Sequence, residues 1–369
     1  MIECRTIKEL CSVVVDCPHS TPTWTAEGKI VVRNNNIKNG RIDFSSPSYT
    51  DDEHYQQRIK RATPQGGDII ITREAPMGEV GMIPEGIVCC LGQRMVLLRA
   101  NPDICDNYYL LYSLQSRYVQ HQISWSEGTG TTVSNLRIPH LEQLKIPYLP
   151  LSQQRQVSSV LRCLEEKIKH NRVINDNLQQ QAQAIYASMF VDNAEPTWKQ
   201  GHLSDFVIVR YGKDHKKLAD GIYPVYGSGG IMRHVERPLY DKESVLIPRK
   251  GTLNNMMYVN QPFWSVDTMF YTEMRLPNVA KFVYHFVKAK DLAAMNAGSA
   301  VPSMTTDILN AMEIAIPPAT VLEEFESLVA PMYRAMQGND AQSKKLADLR
   351  NALLPKLMSG EIDVSDIQL

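Results

Sequence analysis

SQQRQVSSVLRCLEEKIKHNRVINDNLQQQAQAIYASM, Ser152–Met189, contains neither glycine nor proline. Its apolar side chains recur at heptad spacing: Val157, Leu161, Leu164 and Ile168, then Leu178, Ala182, Ile185 and Met189. That is the pattern of a helix burying one stripe along its whole length. Asn171 and Asn175 interrupt the stripe at its middle. At about 1.5 Å per residue the helix is roughly 57 Å long, longer than a small domain is wide, so it needs a partner throughout. The chain supplies one. Phe325, Val329, Met332 and Met336, then Leu346, Leu353 and Leu357, repeat the pattern, with Asn339 and Ser343 in the centre. An offset of 168 superposes the two stretches, polar centre on polar centre. The expectation is an intramolecular antiparallel coiled coil whose polar centres meet and fix the register. Gly338, inside the second stretch, argues for a break there.

Outside the helices the duplication continues. Gly128–Pro147 aligns with Gly298–Pro317 at an offset of 170, matching Ile138 to Ile308, Ile146 to Ile316 and Pro147 to Pro317. Asp68–Ile83 aligns with Ser244–Val259 at an offset of 176, which lays Arg73 on Arg249. Both flanking segments are dominated by strand-like runs (68–73, 94–100, 244–249, 268–274), and each carries one helix-like stretch, 107–122 and 279–295. The expected fold is mixed α+β with a pseudo-two-fold internal repeat. Two globular domains, 1–150 and 191–318, alternate with two long helices, 151–190 and 319–369, the latter including a C-terminal tail.

Composition narrows the function. Apolar residues make up 43% and charged residues 21% of the 369, with a formal charge of −1, which places the chain among globular proteins rather than polycations. Any nucleic-acid affinity must therefore come from placed contacts or from partners that neutralise phosphates. No apolar run reaches the length of a membrane span, and the N-terminus has charges where a secretory signal needs an apolar stretch. The seven cysteines, none in a C-x-x-C pair, are expected to be free thiols in a reducing cytoplasm. Enzymatic motifs are missing. There is no phosphate-cradling G-x-x-x-x-G-K-[ST], no dinucleotide fingerprint, no N-P-P-aromatic methyltransferase loop, no H-E-x-x-H and no G-x-S-x-G. Pro102-Asp103 and Glu165-x-Lys167 are too far apart for a metal-dependent nuclease. The expectation is a chain without a catalytic site, a metal or a cofactor of its own.

Several stretches resemble the specificity subunits of type I restriction–modification systems. GDIIITREAPMGEVGMIPEG (67–86) is similar to the strand and turn of their target-recognition domains, and IPYLPLSQQRQVSSVL (146–161) to the passage from such a domain into the conserved helix. YPVYGSGGI (223–231) and LIPRKGTLNNMMYVNQPFWSVDTMFY (246–271) resemble another type of recognition domain, and LLPKLMSGEIDV (353–364) the usual ending. The resemblance covers essentially the whole chain, in order. It implies a non-catalytic reader of a bipartite double-stranded DNA site, one domain on each half, with paired helices setting the unread spacer. Those helices would dock two methyltransferase subunits that hold S-adenosylmethionine. Restriction/translocase subunits using ATP and Mg2+ would join them. The competing reading is a scaffold that binds other proteins through two domains on a coiled-coil spacer.

Base readout needs donors and acceptors on loops, with basic residues on phosphates. In the first domain the candidates are Arg33, Asn34, Asn35 and Asn36, Arg73, Gln93, Arg94 and the loop containing Thr129 and Thr131, with Arg58, Lys60 and Arg61 for phosphates. In the second they are Tyr211, Lys213, Ser228, Arg249, Lys250, Thr252, Asn254, Asn255 and Thr268, with His215, Lys216 and Lys217 for phosphates. Arg73 and Arg249, matched by the duplication, are both expected to touch DNA. Along the helices Val157, Leu161, Leu164, Ile168, Asn171, Leu178 and Ile185 are expected to face Phe325, Met332, Asn339, Leu346 and Leu353.

Overall fold

A computed structural model describes residues 3–38, 40–125, 135–295 and 303–364. The chain forms two compact units, Met1–His170 with Gln342–Leu369, and Asn171–Ala341.

The first unit runs β1 (Cys4–Thr6), α1 (Ile7–Leu10), β2 (Cys11–Asp16), β3 (Lys29–Val32), β4 (Ile37–Lys38), β5 (Arg41–Ile42), β6 (Ser48–Thr50) and α2 (Asp52–Arg58). It continues through β7 (Ile69–Thr72), β8 (Val80–Met82), β9 (Cys89–Leu91), β10 (Met95–Ala100), α3 (Asn107–Gln115), α4 (Arg117–Ser124), α5 (Ile138–Gln143) and β11 (Lys145–Pro147) into the long helix α6 (Leu151–Ala187). The main sheet has the order β2-β10-β7-β8 and is antiparallel throughout. The uninterrupted apolar run Ile69-Ile70-Ile71 is buried on both faces, as strand alternation requires. Ile69 and Ile71 enter the core that holds Tyr109 and Leu110 of α3, and Ile70 enters another with Val32 and Cys89. That second core underlies the small sheet β6-β3-β9, in which β3 and β9 are parallel. β1 pairs with β11, so the chain enters and leaves the head side by side. Thr6 and Glu9 close a capping box on α1, and Asp106 caps α3.

The second unit repeats this plan. After α6 come β12 (Lys199–His202), α7 (Leu203–Phe206), β13 (Val207–Tyr211), β14 (Asp220–Gly227), β15 (Gly230–Val235), β16 (Ser244–Pro248), β17 (Met257–Val259) and β18 (Trp264–Ser265). Then follow β19 (Met269–Met274), α8 (Ala280–Lys288), α9 (Thr306–Asn310), β20 (Glu313–Ile316) and the long helix α10 (Ala319–Met358). The order β13-β19-β16-β17 matches the first main sheet, β15-β14-β18 matches the small one with the same parallel pair, and β12–β20 matches the clasp.

The registers correct one sequence alignment. Thr6 faces Lys145 and His202 faces Glu313, each immediately before the short helix. Lys145 therefore corresponds to Glu313, an offset of 168, the value that also superposes the long helices. The offset of 170 was a slip of two residues. A slip of two keeps every strand side chain on its own face, so the apolar pattern could not betray it, and the Ile-Pro pairs at 146 and 316 favoured it. The offset of 176 holds, because Thr72 faces Met95 as Pro248 faces Met269.

Within each unit the long helices run antiparallel. In the first, Val157 and Leu161 share a core with Leu357 and Met358, and Arg350 Nη1 donates to Glu165 Oε1 at 2.9 Å. In the second, Asn171 Nδ2 donates to the Asn339 carbonyl at 3.3 Å, Asn175 Nδ2 to Asp340 Oδ1 at 2.9 Å, and Asn339 Nδ2 to Asn175 Oδ1 at 2.8 Å. Amides in the seam, Asn171 buried and Asn175 and Asn339 half-buried, that find each other this way penalise other registers. α10 passes through Gly338 without a break. The apolar stripe does more than pair helices. Val157, Leu161 and Leu353 pack into the first head, and Ile185, Phe325 and Met332 into the second. Ile168 is buried, whereas Leu164, Leu178 and Leu346 are half-buried.

Candidate nucleic-acid interface

In the first unit three loops meet at the end of the main sheet where β7 stops. The turn after β7 is fixed at its root: the Arg73 N–H donates to the Arg94 carbonyl at 2.8 Å, and the Leu136 N–H to the Arg73 carbonyl at 3.0 Å. The turn after β3 forms a short helical loop over Asn34–Asn36, and Gly92–Arg94 joins β9 to β10. With Thr21, Pro22 and Trp24 these loops enclose an open cavity of about 520 Å3, lined by Arg33, Asn34, Asn35, Gln93 and Arg94. The sequence offered these five as two separate runs, and the fold brings the runs together. The Arg33 guanidinium lies 5.2 Å from the centre of the exposed Trp24 ring. Asn34 Nδ2 donates to the Glu74 carbonyl at 2.8 Å, and its Oδ1 is buried with no partner among the described residues. Arg94 has φ +64° and an ion pair to Glu74 at 3.2 Å, and its side chain is 56% exposed.

Other first-unit candidates lie elsewhere. Arg58, expected on a phosphate, is buried: Nε donates to the Leu91 carbonyl at 2.7 Å, Nη1 to Ser20 at 3.1 Å, and Nη2 to Gly92 at 2.9 Å and Pro18 at 3.3 Å. It ties loops together because four carbonyls outbid a solvated position on a short helix. Arg73 is likewise committed inward. Nη1 lies 3.0 Å from both oxygens of Asp16, Nε donates to the Leu136 carbonyl at 3.0 Å, and Nη2 to Asn135 Oδ1 at 3.3 Å. Asn36 Oδ1 accepts from the Arg33 N–H at 2.9 Å, closing the turn. Lys60 and Arg61 are exposed, with Arg61 donating to the Asp16 carbonyl at 3.3 Å. Thr129 and Thr131 lie outside the described residues.

The same edge exists in the second unit. The Gly92 N–H donates to the Val32 carbonyl and the Val266 N–H to the Tyr226 carbonyl, so Val32 corresponds to Tyr226 and Gly92 to Val266. Counting on, Asn34 corresponds to Ser228, Gln93 to Asp267 and Arg94 to Thr268. Arg249 repeats the Arg73 root, bonding through its N–H to the Thr268 carbonyl and through its carbonyl to the Met304 N–H. The strand-end residue beside it is Tyr211 where the first unit has Asp16. Chemistry at this point diverges. The Arg249 guanidinium sits 5.4 Å from the Tyr211 ring centre and, among the described residues, gives one hydrogen bond, 3.2 Å, to the Asp267 carbonyl. Tyr211, Lys213, Lys250 and Thr252 are exposed. Asn255 Nδ2 donates to the Ser228 carbonyl at 2.7 Å, so it supports the loop instead of facing outward. Asn254 is also structural, donating to Asp291 Oδ1 at 3.0 Å and accepting from the Ala293 N–H at 3.1 Å. Thr268 is half-buried, and Lys216 and Lys217 are exposed beyond β13, with His215 between buried and exposed.

Sequence reasoning missed Trp24, Asp267, Ile231 and Met232 at these edges. Asp267 reaches its edge through the parallel pairing of β14 with β18, which is not local in sequence, whereas Ile231 and Met232 lie on the local hairpin β14–β15, whose Gly-Ser-Gly-Gly turn was the available signal. Among the described residues no His, Cys, Asp and Glu cluster could hold a metal, and no helix is long and apolar enough to cross a membrane. None of the seven cysteines forms a disulfide, and burial pushes the Cys89 and Cys105 thiols up to about 12.

The family model of the type I restriction modification DNA specificity domain matches residues 3–180 and 195–323. The specificity subunit of the type I restriction enzyme MjaIX from Methanocaldococcus jannaschii is 23% identical over 345 residues, covering 82% of this chain and 79% of that one. A putative type I specificity subunit of Mycoplasma pneumoniae is 21% identical, with 73% of this chain and 76% of its own length covered. Among solved structures, the S subunit of a type I restriction–modification system from M. genitalium shares the fold with a TM-score of 0.54 at 17% identity, over 97% of this chain and 96% of that one. Matched over more than half its length and built as one duplicated plan, the chain belongs to the type I restriction–modification specificity family, as the non-catalytic specificity subunit of such a system.

Proposed function

We propose that the two units read the two halves of a bipartite double-stranded DNA site, each through the loops at the end of its main sheet. One observation carries this: two runs of candidates far apart in the sequence, Arg33 to Asn35 and Gln93 with Arg94, meet at one edge of the first unit, and Ser228, Arg249 and Thr268 fall on the corresponding loops of the second. Polar side chains at these edges supply base contacts, and the surrounding lysines and arginines hold phosphates. The paired halves of α6 and α10 set the spacer and dock two methyltransferase subunits, which bring S-adenosylmethionine. Restriction/translocase subunits, with ATP and Mg2+, complete the assembly in the cytoplasm. Near-neutral charge fits a reader whose partners share the clamping of the duplex.

The test is methylation sequencing of cells carrying the chain with its methyltransferase partner. Arg33→Ala should relax bases in one half of the motif and Arg249→Ala bases in the other. A motif in one continuous block, or both variants relaxing the same half, would refute the reading.

A further inference from the structure

The hairpin β14–β15 turns through Gly227-Ser228-Gly229-Gly230, and the next two residues, Ile231 and Met232, are 54% and 61% exposed. The register shifts here, Tyr226 facing Ile231 and Val225 facing Arg233, so Met232 is the extra residue of a bulge and two adjacent apolar side chains stand bare near the tip. Nothing in the unit's cores uses them. The tip is slim: a Cβ on Gly229 or Gly230 would meet nothing within 4 Å, and Gly230 has φ +108°. It is also held in place. Asn255 Nδ2 donates to the Ser228 carbonyl at 2.7 Å, and a Cβ on Gly251 would come within 2.9 Å of Ser228 Oγ. A Cβ on Gly227 would lie 2.6 Å from Met232 Sδ, so the thioether rests on bare backbone. Exposed Lys213 and Lys250 and the partly exposed Arg249 share this edge, with Asp267 as a neighbouring carboxylate.

We propose that this tip enters the major groove of the half-site read by the second unit, Ser228 foremost, with Ile231 and Met232 against thymine C5-methyl groups. The inference rests on the DNA-reading function proposed above. The major groove, about 12 Å wide, admits a two-stranded ribbon, whereas the minor groove, about 6 Å, does not. The thymine methyl is the apolar feature on base edges there, and it suits aliphatic side chains that nothing else covers. Glycines let the backbone approach base edges, and the flanking cations match phosphates on either side. In the first unit the corresponding loop bears Arg33 and three asparagines, so that head reads by hydrogen bonds where this one adds methyl contact.

The experiment uses the full chain in complex with its methyltransferase partner, on duplexes carrying the motif found by methylation sequencing. Each thymine is replaced in turn by deoxyuridine, which removes only the methyl. The wild-type complex should lose about fourfold in affinity per contacted methyl, at one or two positions within one half-site. The Ile231→Ser/Met232→Ser variant should bind the thymine duplex correspondingly more weakly and no longer distinguish thymine from deoxyuridine. Both residues are exposed, so melting should be unchanged; if the double variant misfolds, Met232→Ala alone must reduce the discrimination. Equal wild-type affinity for thymine and deoxyuridine at every position, a half-site without thymine, or discrimination surviving in the variants overturns the proposal. Failure of the DNA-reading function itself looks different: the wild-type complex would then not prefer the motif over scrambled DNA.

Discussion

Arg73 and Arg249 occupy one position in the duplicated fold and should respond to alanine in opposite ways. Arg73 and Asp16 have side chains only 12% and 13% exposed, and the guanidinium also serves the Leu136 carbonyl. Arg73→Ala leaves a carbonyl without its donor and a largely buried carboxylate without its guanidinium, His19 Nε2 lying 2.9 Å from it. Breaking a fully buried pair costs about 3–5 kcal/mol; with both side chains partly exposed, about 2–3 kcal/mol is expected here. That should appear as roughly 30- to 150-fold faster hydrogen exchange in peptides covering β7 and β10, measured by mass spectrometry on the methyltransferase complex. Among the described residues the Arg249 side chain has one hydrogen bond and an exposed ring beside it, so Arg249→Ala should alter exchange in β16 and β19 less than about fivefold. Its cost falls on binding instead. Losing a base contact should weaken cognate binding by about 1–3 kcal/mol and lower the cognate-to-random ratio. An Arg73→Ala protein with unchanged exchange and lost discrimination, or the reverse pattern for Arg249→Ala, would overturn this division of labour.

Arg58→Ala should destabilise the first unit by roughly 3 kcal/mol through four stranded carbonyls, seen as faster exchange around β9, while Lys60→Ala and Arg61→Ala leave exchange unchanged and only reduce the salt dependence of binding. His285 is fully buried, and burial first, then Lys288, lowers its pKa from 6.5 to about 4. Between those values the unfolded chain binds a proton that the native one does not, so the second unit should lose about 1.4 kcal/mol per pH unit below 6.5, roughly 3 kcal/mol in all. His285→Gln should flatten that slope in urea titrations at pH 7 and pH 4.5. Inserting one heptad into both α6 and α10 adds roughly 10 Å, about three base pairs, and the methylated motif should gain a spacer of that length; an unchanged spacer would remove the helices from that role.

The long helices were legible because a heptad stripe is a local pattern, and Asn171 and Asn339 marked their own meeting point. The strand Ile69–Thr72 was legible for the same reason. Side-chain commitments were not. Arg73 and Arg249 look alike in sequence, and only the residue at the end of the neighbouring strand, Asp16 or Tyr211, separates a structural clamp from an outward-facing base. Arg58 looked like surface because a short helix with polar neighbours gives no sign of four carbonyls converging from distant loops. Trp24 and Asp267 were missed since parallel pairing joins segments far apart in the chain.

The clasps β1–β11 and β12–β20 have a consequence for inheritance. Each head begins and ends on two hydrogen-bonded neighbours, so an exchange with one crossover in the codons of each strand would replace one whole head and leave the long helices untouched. On the bipartite reading proposed above, one such exchange would rewrite half of the target sequence and keep the same modification machinery.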